Sequence, residues 1–255
     1  MPKAKPHKGR KSQIETLVAR VEEQFKPISV PRPVRHDATQ GAQQRLDAAL
    51  SSVNNVFLTL NLIRGVDREV QKKELRGRLS DTHIDMLRSA IVFSGAGLDA
   101  SLKKLIKDTV RKIAVRNSRA KRKFLDFIDR HLAAADSPLN RKCLAEILVD
   151  GRGTQAALLE HYEIELTGDS LQAVNQVAAV CSALGIDARP IRERLKEGSL
   201  LDQMFKARNN IVHQLDLTDT GREVRRIEDV RKLAAEALSV TQEIINAVGS
   251  ALGRK

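Results

Sequence analysis

Residues 80–115 read SDTHIDMLRSAIVFSGAGLDASLKKLIKDTVRKIAV, and this stretch decides the fold. Its apolar side chains recur at helical spacing, and Ser80 is a typical N-cap residue, so the stretch predicts one long helix that ends near Val115. The run SGAG over residues 94–97 superficially resembles a phosphate loop. It lacks the preceding strand and the Lys-Ser/Thr ending of such a loop, and therefore predicts a close contact between helices.

Helical periodicity extends outward from this stretch in both directions, whereas sustained alternation typical of strands is almost absent. A connector punctuated by Pro27, Pro31 and Pro33 separates the first two predicted helices, and the second of them is expected to stop near Gly65. The sequence thus predicts an all-α fold, an antiparallel helical bundle with short connections. Besides the long helix and a short helical turn at Pro190, the predicted helices cover about 12–25, 42–63, 118–135, 141–149, 153–163, 169–185, 199–215 and 223–252.

The composition excludes several classes of protein. The chain has 255 residues, of which 42% are hydrophobic, so it can bury a core and is not disordered throughout. Its longest apolar run predicts no transmembrane helix, and the start predicts no secretory signal. Two Cys residues do not form a disulfide framework, which indicates a reducing compartment and a cytoplasmic protein without a membrane partner. Cys143 and Cys181 are expected to be small buried hydrophobes.

The net charge of +12 is unevenly distributed. Residues 1–36 hold nine Lys and Arg against three acids, and the first ten residues are expected to form a mobile basic tail. Residues 103–142 hold thirteen Lys and Arg against four acids, inside predicted helices. Each cluster is either a solvated face or a contact for a polyanion. The best candidates for binding nucleic acid are Arg116, Arg119, Lys121, Arg122 and Lys123. Aromatic residues make up only 3%, which weighs against a base-stacking RNA module.

The segment 199–216, SLLDQMFKARNNIVHQLD, predicts a helix that Ser199 caps and that ends near Leu215. On an ideal helical wheel, Arg208 lies at the centre of an apolar stripe. A guanidinium is costly to bury alone, so Arg208 either reaches the bundle edge or a buried acid, or is held in a partly desolvated cleft to meet a phosphate. The stripe comprises Leu201, Met204, Phe205, Ile211, Val212 and Leu215.

His213 lies about 140° from Arg208 on the same wheel, so the two side chains do not share a face. Asn209 precedes His213 by one helical turn and does share its face, so a hydrogen bond from Asn209 could orient the imidazole. Because the helix is expected to end just after His213, local unwinding would bring the imidazole toward Arg208. Arg208, Asn209 and His213 are therefore the three polar side chains that the end of this helix could bring together.

The string RNNIVH over residues 208–213 resembles the Arg-polar-x-x-x-His motif of HEPN domains, where the His lies near the end of a helix in a four-helix bundle. The longer string RNNIVHQLD is similar to the form found in HEPN domains of the RiboL-PSP type. Residues 86–106 resemble the family's early helix, in which an apolar run with small residues leads into a Leu-Asp/Glu-Ala step. After His213 the chain departs from the family pattern, since Gln-Leu stands where Glu-Gly is more usual.

This resemblance implies a HEPN-like four-helix core within a helical domain of residues 41–255. A basic tail and a short helix, residues 1–40, precede that domain. Residues 115–185 have no counterpart in the family pattern and are a candidate insertion.

The resemblance also implies a function, because HEPN ribonucleases cut RNA without a metal or other cofactor, usually as homodimers. In that chemistry a His moves a proton at the ribose 2′-OH or the leaving oxygen, while an Arg faces the phosphate. Asn209 would orient His213 or contact the phosphate. Asp99, which borders the core on the long helix, would neutralise or align Arg208; otherwise it is a plain surface acid. The product would be a 2′,3′-cyclic phosphate, and DNA would not be cut.

Family members often serve as toxins or phage-defence effectors, so the expected partners are RNA, a second copy of the chain and an antitoxin or defence-system protein. Two alternatives remain open. One is a catalytically silent HEPN-like helical subunit that scaffolds a complex or binds RNA. The other is a helical nucleic-acid-binding protein in which Arg208 is merely structural.

Overall fold

The protein is described here from a computed structural model, which covers residues 8–71, 79–133, 153–187, 189–218 and 221–253, together with residues 142, 145, 147 and 149. Most of the predicted basic tail (1–7), most of the predicted helix over 141–149 and Cys143 lie outside these residues. The described helices are α1 (Lys8–Gln24), α2 (Gln40–Gln71), α3 (Asp81–Arg116), α4 (Ser118–Ala133), α5 (Thr154–Gly168), α6 (Val174–Ala183), α7 (Leu200–Gln214) and α8 (Ile227–Gly253). Short 3₁₀ helices cover Asp37–Thr39 and Arg189–Leu195, and strands β1 (Leu217–Thr218) and β2 (Gly221–Arg222) pair antiparallel.

Helix α3 is the central element, since α2, α4, α5, α6, α7 and α8 all pack against it. Ser80 caps it as predicted: the Ser80 hydroxyl accepts from the backbone N–H of His83, and His83 Nδ1 accepts from the Ser80 N–H at 3.2 Å. Buried apolar side chains then follow one another along almost the whole helix, from Ile84 to Ala114. The all-α prediction is confirmed.

Helix α2 runs antiparallel to α3 and touches it most closely where glycines face the partner helix. Gly97 packs against Ala49, and Gly41 packs against the side chain of Lys104. Leu46, Val53, Phe57 and Leu60 fill the remaining contact and are fully or almost fully buried. The prediction that SGAG makes a close helix contact is therefore confirmed.

Helices α7 and α8 complete the four-helix core. Gly95 of α3 contacts Arg208, and Arg88 donates to the carbonyl of Leu215, so α7 is antiparallel to α3. Helix α8 runs parallel to α3, with Leu238 beside Gly97. Helices α4, α5 and α6 lie between α3 and α7 in the chain. They cover most of residues 115–185, the candidate insertion, and α4 and α5 share a cluster of Phe124, Phe127 and Tyr162.

The proline-containing connector after α1 is held on the bundle by two asparagines. Asn54 of α2 accepts from the N–H of Ile28 at 2.7 Å and donates to its carbonyl. Asn246 of α8 accepts from the N–H of Val34 at 2.8 Å and donates to the carbonyl of Arg32. Beside them, the Arg231 guanidinium lies 5.7 Å and 5.6 Å from the ring centroids of Phe25 and Phe57.

Several predicted boundaries are wrong, since the helix predicted over 153–163 ends at Gly168 and the one predicted over 169–185 begins at Val174. Helix α2 continues through Gly65 to Gln71, and Gly65 packs against Leu17 and Val21 of α1. Helix α8 begins at Ile227 rather than near Glu223, because the preceding residues form the short β1–β2 hairpin.

One described helical stretch, residues 37–68, is long and apolar enough to cross a membrane by length and composition. Such a stretch is also common in core helices of soluble proteins, so one instance is weak evidence for a span. Here the helix packs along α3, and its ends carry Arg45, Asp47 and Arg64. The sequence predicts no transmembrane helix, and the described part of the structure contains one helix that passes the length and composition test. This single helix does not clearly indicate a membrane protein.

Replacing Gly97 with Ala should destabilise the bundle, because the new methyl group would overlap the Cβ of Ala49. Overpacking of this kind typically costs about 1–3 kcal/mol. We expect the free energy of unfolding, measured by urea denaturation, to fall by that amount and to recover in part in the double variant G97A/A49G. Gly168→Ala is the matched control, since a Cβ there meets nothing within 4 Å. Equal stability of the Gly97→Ala and Gly168→Ala variants would contradict the proposed close contact.

Candidate active site

The first turns of α7 are fixed by a local cap and by buried anchors. The Ser199 hydroxyl accepts from the N–H of Asp202 at 3.2 Å, and the Asp202 carboxylate accepts from the N–H of Gly198 at 2.8 Å. Lys206 lies 2.8 Å from the same carboxylate, and this contact lowers the pKa of Asp202. On the opposite face Leu201 and other apolar side chains enter the core. The cap and the buried side chains thus fix the position of the first half of α7, from which Arg208 and His213 follow.

Arg208 is half-buried, with its aliphatic stem lying across α3 at Gly95. A Cβ at residue 95 would come within 3.3 Å of the Arg208 Cγ, so the glycine permits this approach. The guanidinium donates to the side-chain oxygen of Asn209 at 3.0 Å. Within the part of the chain that the structure describes, no carboxylate forms an ion pair with Arg208. The remaining guanidinium donors are thus available to an anion.

The apolar stripe predicted around Arg208 is only half correct. Its N-terminal members are buried, but Val212 is 44% exposed and Leu215 is 67% exposed. At the end of α7 the Leu215 carbonyl accepts a hydrogen bond from Arg88, near the N-terminal end of α3. Arg208 therefore lies between the buried apolar residues of the first half of α7 and the exposed apolar residues at its end.

His213 is exposed in the last turn of α7. The helix remains regular through Gln214, so the expected unwinding does not occur, and the His213 side chain lies about 140° around the helix from Arg208. Asn209 contacts Arg208 rather than His213, and the described residues contain no hydrogen bond between Asn209 and His213. The structure thus joins Arg208 to Asn209 but does not bring His213 to them within one chain.

Asp99 lines the same cavity as Arg208, between α3, α7 and the α5–α6 connection. Its carboxylate accepts from the N–H of Leu171 at 2.7 Å and lies 3.3 Å from the Lys103 ammonium. Among the described contacts of Asp99, none is an ion pair with Arg208. Its observed role is to hold the α5–α6 connection against α3 beside Arg208.

Asp216, the last residue of the RNNIVHQLD string, is a residue that the sequence analysis missed. Leu215 and Asp216 both adopt left-handed backbone conformations, with φ of 51° and 57°. Such a pair of non-glycine residues is costly unless the surroundings hold it. The Asp216 carboxylate is buried, accepts two hydrogen bonds from Arg225 and lies 3.5 Å from Arg88 Nε. The same Arg88 donates to the Leu215 carbonyl, so this network holds the end of the motif helix.

The predicted nucleic-acid-binding residues lie at the junction of α3 and α4, and all five are exposed. Arg116 and Arg119 line a surface cavity of about 610 Å³ that also includes Asp187. The Asp187 carboxylate accepts hydrogen bonds from the Arg189 guanidinium, and this contact lowers the pKa of Asp187 to about 2. Lys121 lies about 160° around α4 from Arg119, so the five residues do not form a single face. This basic corner is about 30 Å from Arg208, since α3 rises about 1.5 Å per residue between Gly95 and Arg116.

The other side chains that could act as nucleophiles or metal ligands do not form a second candidate site among the described residues. Cys181 is buried as predicted, and its burial raises the pKa of the thiol to about 12, which disfavours the reactive thiolate. His131 contacts Glu165 and packs against Phe127. Among the described residues, no group of three or more His, Cys, Asp or Glu side chains could hold a metal ion.

Comparisons with known proteins add no family: no family model, no curated protein and no solved structure matches this chain.

Replacing Asp216 with Asn should destabilise the end of α7, because Arg88 and Arg225 would lose their shared counter-charge. Breaking an ion pair that is this deeply buried typically costs about 2–4 kcal/mol. Leu215→Gly should have the opposite sign and raise stability by up to about 1 kcal/mol, since glycine adopts the left-handed conformation freely. Both changes are measurable by urea denaturation. If Asp216→Asn is as stable as the parent protein, the network does not hold the helix end.

Proposed function

We propose that this chain is a metal-independent endoribonuclease of the HEPN type, with Arg208 and His213 as its catalytic residues. The observation that carries the proposal is the state of Arg208. It is a half-buried guanidinium without a carboxylate partner among the described residues, oriented by Asn209 and open to a cavity. An arginine held in this way is suited to bind a phosphate and to stabilise the charge that develops on it.

The proposed reaction needs no nucleophile from the protein. The ribose 2′-OH attacks the adjacent phosphorus as its proton passes to a base, and the bond from phosphorus to the 5′ oxygen breaks as that oxygen gains a proton. The products are a 2′,3′-cyclic phosphate and a 5′-hydroxyl end. Imidazole suits both proton transfers because it titrates near neutral pH. Arg208 holds the phosphate, and Asn209 keeps the guanidinium in place.

A second copy of the chain supplies what one chain lacks. Arg208 and His213 point in different directions from α7, so in the proposed site Arg208 of one protomer faces the partner subunit's His213. The surface near Arg208 carries exposed large apolar side chains at the end of α7, where Val212 is 44% exposed and Leu215 is 67% exposed. Exposed apolar clusters of this kind mark interaction surfaces, which supports a homodimer through this face.

The biological setting follows from the resemblance: a cytoplasmic toxin or phage-defence effector that an antitoxin or a defence-system protein controls. RNA is the proposed substrate. The basic corner at Arg116 and Arg119 would add phosphate affinity about 30 Å from the chemistry, as estimated from the rise of α3. This distance favours an RNA that is long enough to reach both places.

One observation favours the second candidate, a catalytically silent HEPN-like subunit that scaffolds a complex or binds RNA. The motif helix ends in Leu215 and Asp216, held in left-handed conformations by a buried ion-pair network, with an imidazole that faces away from the arginine. A rigid end of this kind suits a structural subunit. The cleavage assay below separates the two functions.

We expect the wild-type chain to cut single-stranded RNA in the presence of EDTA and to leave DNA intact. His213→Ala should lower the cleavage rate by about 10²–10⁴-fold, the usual contribution of a general acid or base. Arg208→Lys should lower it by about 10²–10³-fold, because lysine cannot reproduce the planar phosphate contact. Gel analysis of a labelled RNA, with end-group identification of the cyclic phosphate, measures both effects.

Gln214→Ala is the matched control, because Gln214 is the exposed neighbour of His213 in the same turn. Its rate should equal that of the parent protein, and circular dichroism should show that every variant is folded. RNA binding without cleavage by the wild-type protein would reject the ribonuclease and support the silent subunit. Cleavage of 2′-deoxy substrates at the same rate would reject the proposed chemistry.

Val212→Asp should convert a dimer into monomers, since it places a charge in the apolar face beside Arg208. Light scattering after size exclusion should give twice the chain mass for the wild type and the mass of one chain, 28.3 kDa, for the variant. RNA cleavage should be lost together with the dimer. Leu125→Asp is the control, because Leu125 is 52% exposed on α4, away from this face. A dimer that survives Val212→Asp would exclude this surface as the interface.

A further inference from the structure

A cavity of about 320 Å³ opens beside Arg208, and neither catalysis nor the dimer accounts for it. Helix α3 forms its floor, α7 contributes one wall through Phe205 and Arg208, and residues 170–172 of the α5–α6 connection form the other wall. The cavity thus lies where the four-helix core meets the insertion. A phosphate bound to Arg208 would stand at its edge, so the cavity is within reach of the nucleotide attached to that phosphate.

The floor of the cavity consists of small residues of α3, with the Asp99 carboxylate among them. Gly95, Ala96 and Ala100 lie along one face of α3 and carry at most a methyl group. Phe205, only 3% exposed, closes the back. A surface without long side chains leaves room for a planar ring to lie against the helix. This shape suits a nucleobase better than a flexible or branched ligand.

The rest of the lining is polar, with Asp99 on α3 and Ser170 and Gln172 on the α5–α6 connection, and its hydrogen-bonding groups are only partly used. The Asp99 carboxylate is held in one orientation by the Leu171 N–H and by Lys103. A carboxylate offers about four acceptor positions, so about two remain free. The side chains of Ser170 and Gln172 also line the cavity, and among the described residues neither makes a hydrogen bond. The cavity therefore presents fixed acceptors next to adaptable polar groups.

We propose that this cavity is a guanine-binding subsite that selects the nucleotide at the cleavage position. The proposal rests on the proposed ribonuclease function and deepens it by naming the base. Two neighbouring acceptors of one carboxylate match a base edge with two adjacent N–H donors. Among the four RNA bases, only guanine has such an edge, formed by N1–H and the 2-amino group. Another base would leave an acceptor of the Asp99 carboxylate without a donor, and this loss would disfavour binding of that base.

The test measures binding of guanosine 3′-monophosphate, a probe that carries both the base and a phosphate, by titration calorimetry on the full chain. We expect at least about 10-fold weaker binding of inosine 3′-monophosphate, which lacks the 2-amino group and so loses one hydrogen bond to a charged acceptor. Adenosine 3′-monophosphate should bind more weakly by a similar factor or more. Ala100→Leu should reduce guanosine 3′-monophosphate binding by at least about 10-fold by filling the cavity, while Asp99→Asn should abolish the preference over the other bases.

Ala179→Leu is the matched control, because Ala179 is an exposed helical residue on α6 outside the cavity, and it should bind like the parent protein. Equal binding of all the nucleotides, or unchanged binding by Ala100→Leu, would overturn the proposal. Because this readout does not require cleavage, selective binding by a chain that cuts no RNA would leave the subsite standing and reject the ribonuclease. Cleavage with no preference for guanine, and no effect of Ala100→Leu, would reject the subsite alone.

Discussion

The contact between the small residues of α3 and its two neighbours is the constraint on which the rest of the structure depends. Gly97 lets α2 approach until Ala49 touches the backbone of α3, and Gly95 lets the Arg208 stem lie across the same helix on its other side. One run of four residues thus sets the spacing of two helix pairs. Larger side chains here would move α2 outward and would lift the guanidinium away from the cavity. The architecture and the candidate chemistry therefore have a common origin in α3.

The features that the sequence predicted well are those with local causes. Ser80 and Ser199 were recognisable as caps because their hydroxyls bond within the same helical turn. The close helix contact at residues 94–97 followed from side-chain size alone. Arg208 stood out because a charged residue interrupted an apolar stripe. Each of these predictions needed only the residues within one or two turns.

The features that it predicted poorly depend on distant partners. Val212 and Leu215 fit an apolar stripe by their spacing, yet both are exposed in the structure. Asp216 could have been singled out only as the final residue of the RNNIVHQLD string. Its partners come from Arg88, far upstream, and from Arg225 beyond the hairpin. Within one chain His213 does not meet Arg208, because α7 stays regular through Gln214 instead of unwinding after His213.

The two asparagine clamps on the N-terminal connector have a consequence for synthesis on the ribosome. Asn54 follows Ile28 by 26 residues, but Asn246 follows Val34 by 212 residues, so the connector acquires its second clamp long after its first. Helix α3 likewise leaves one side uncovered until α7 and α8 follow it. The nascent chain must therefore wait with an incomplete core until α8 has been synthesised, and α8 then supplies both the missing side of the core and the second clamp.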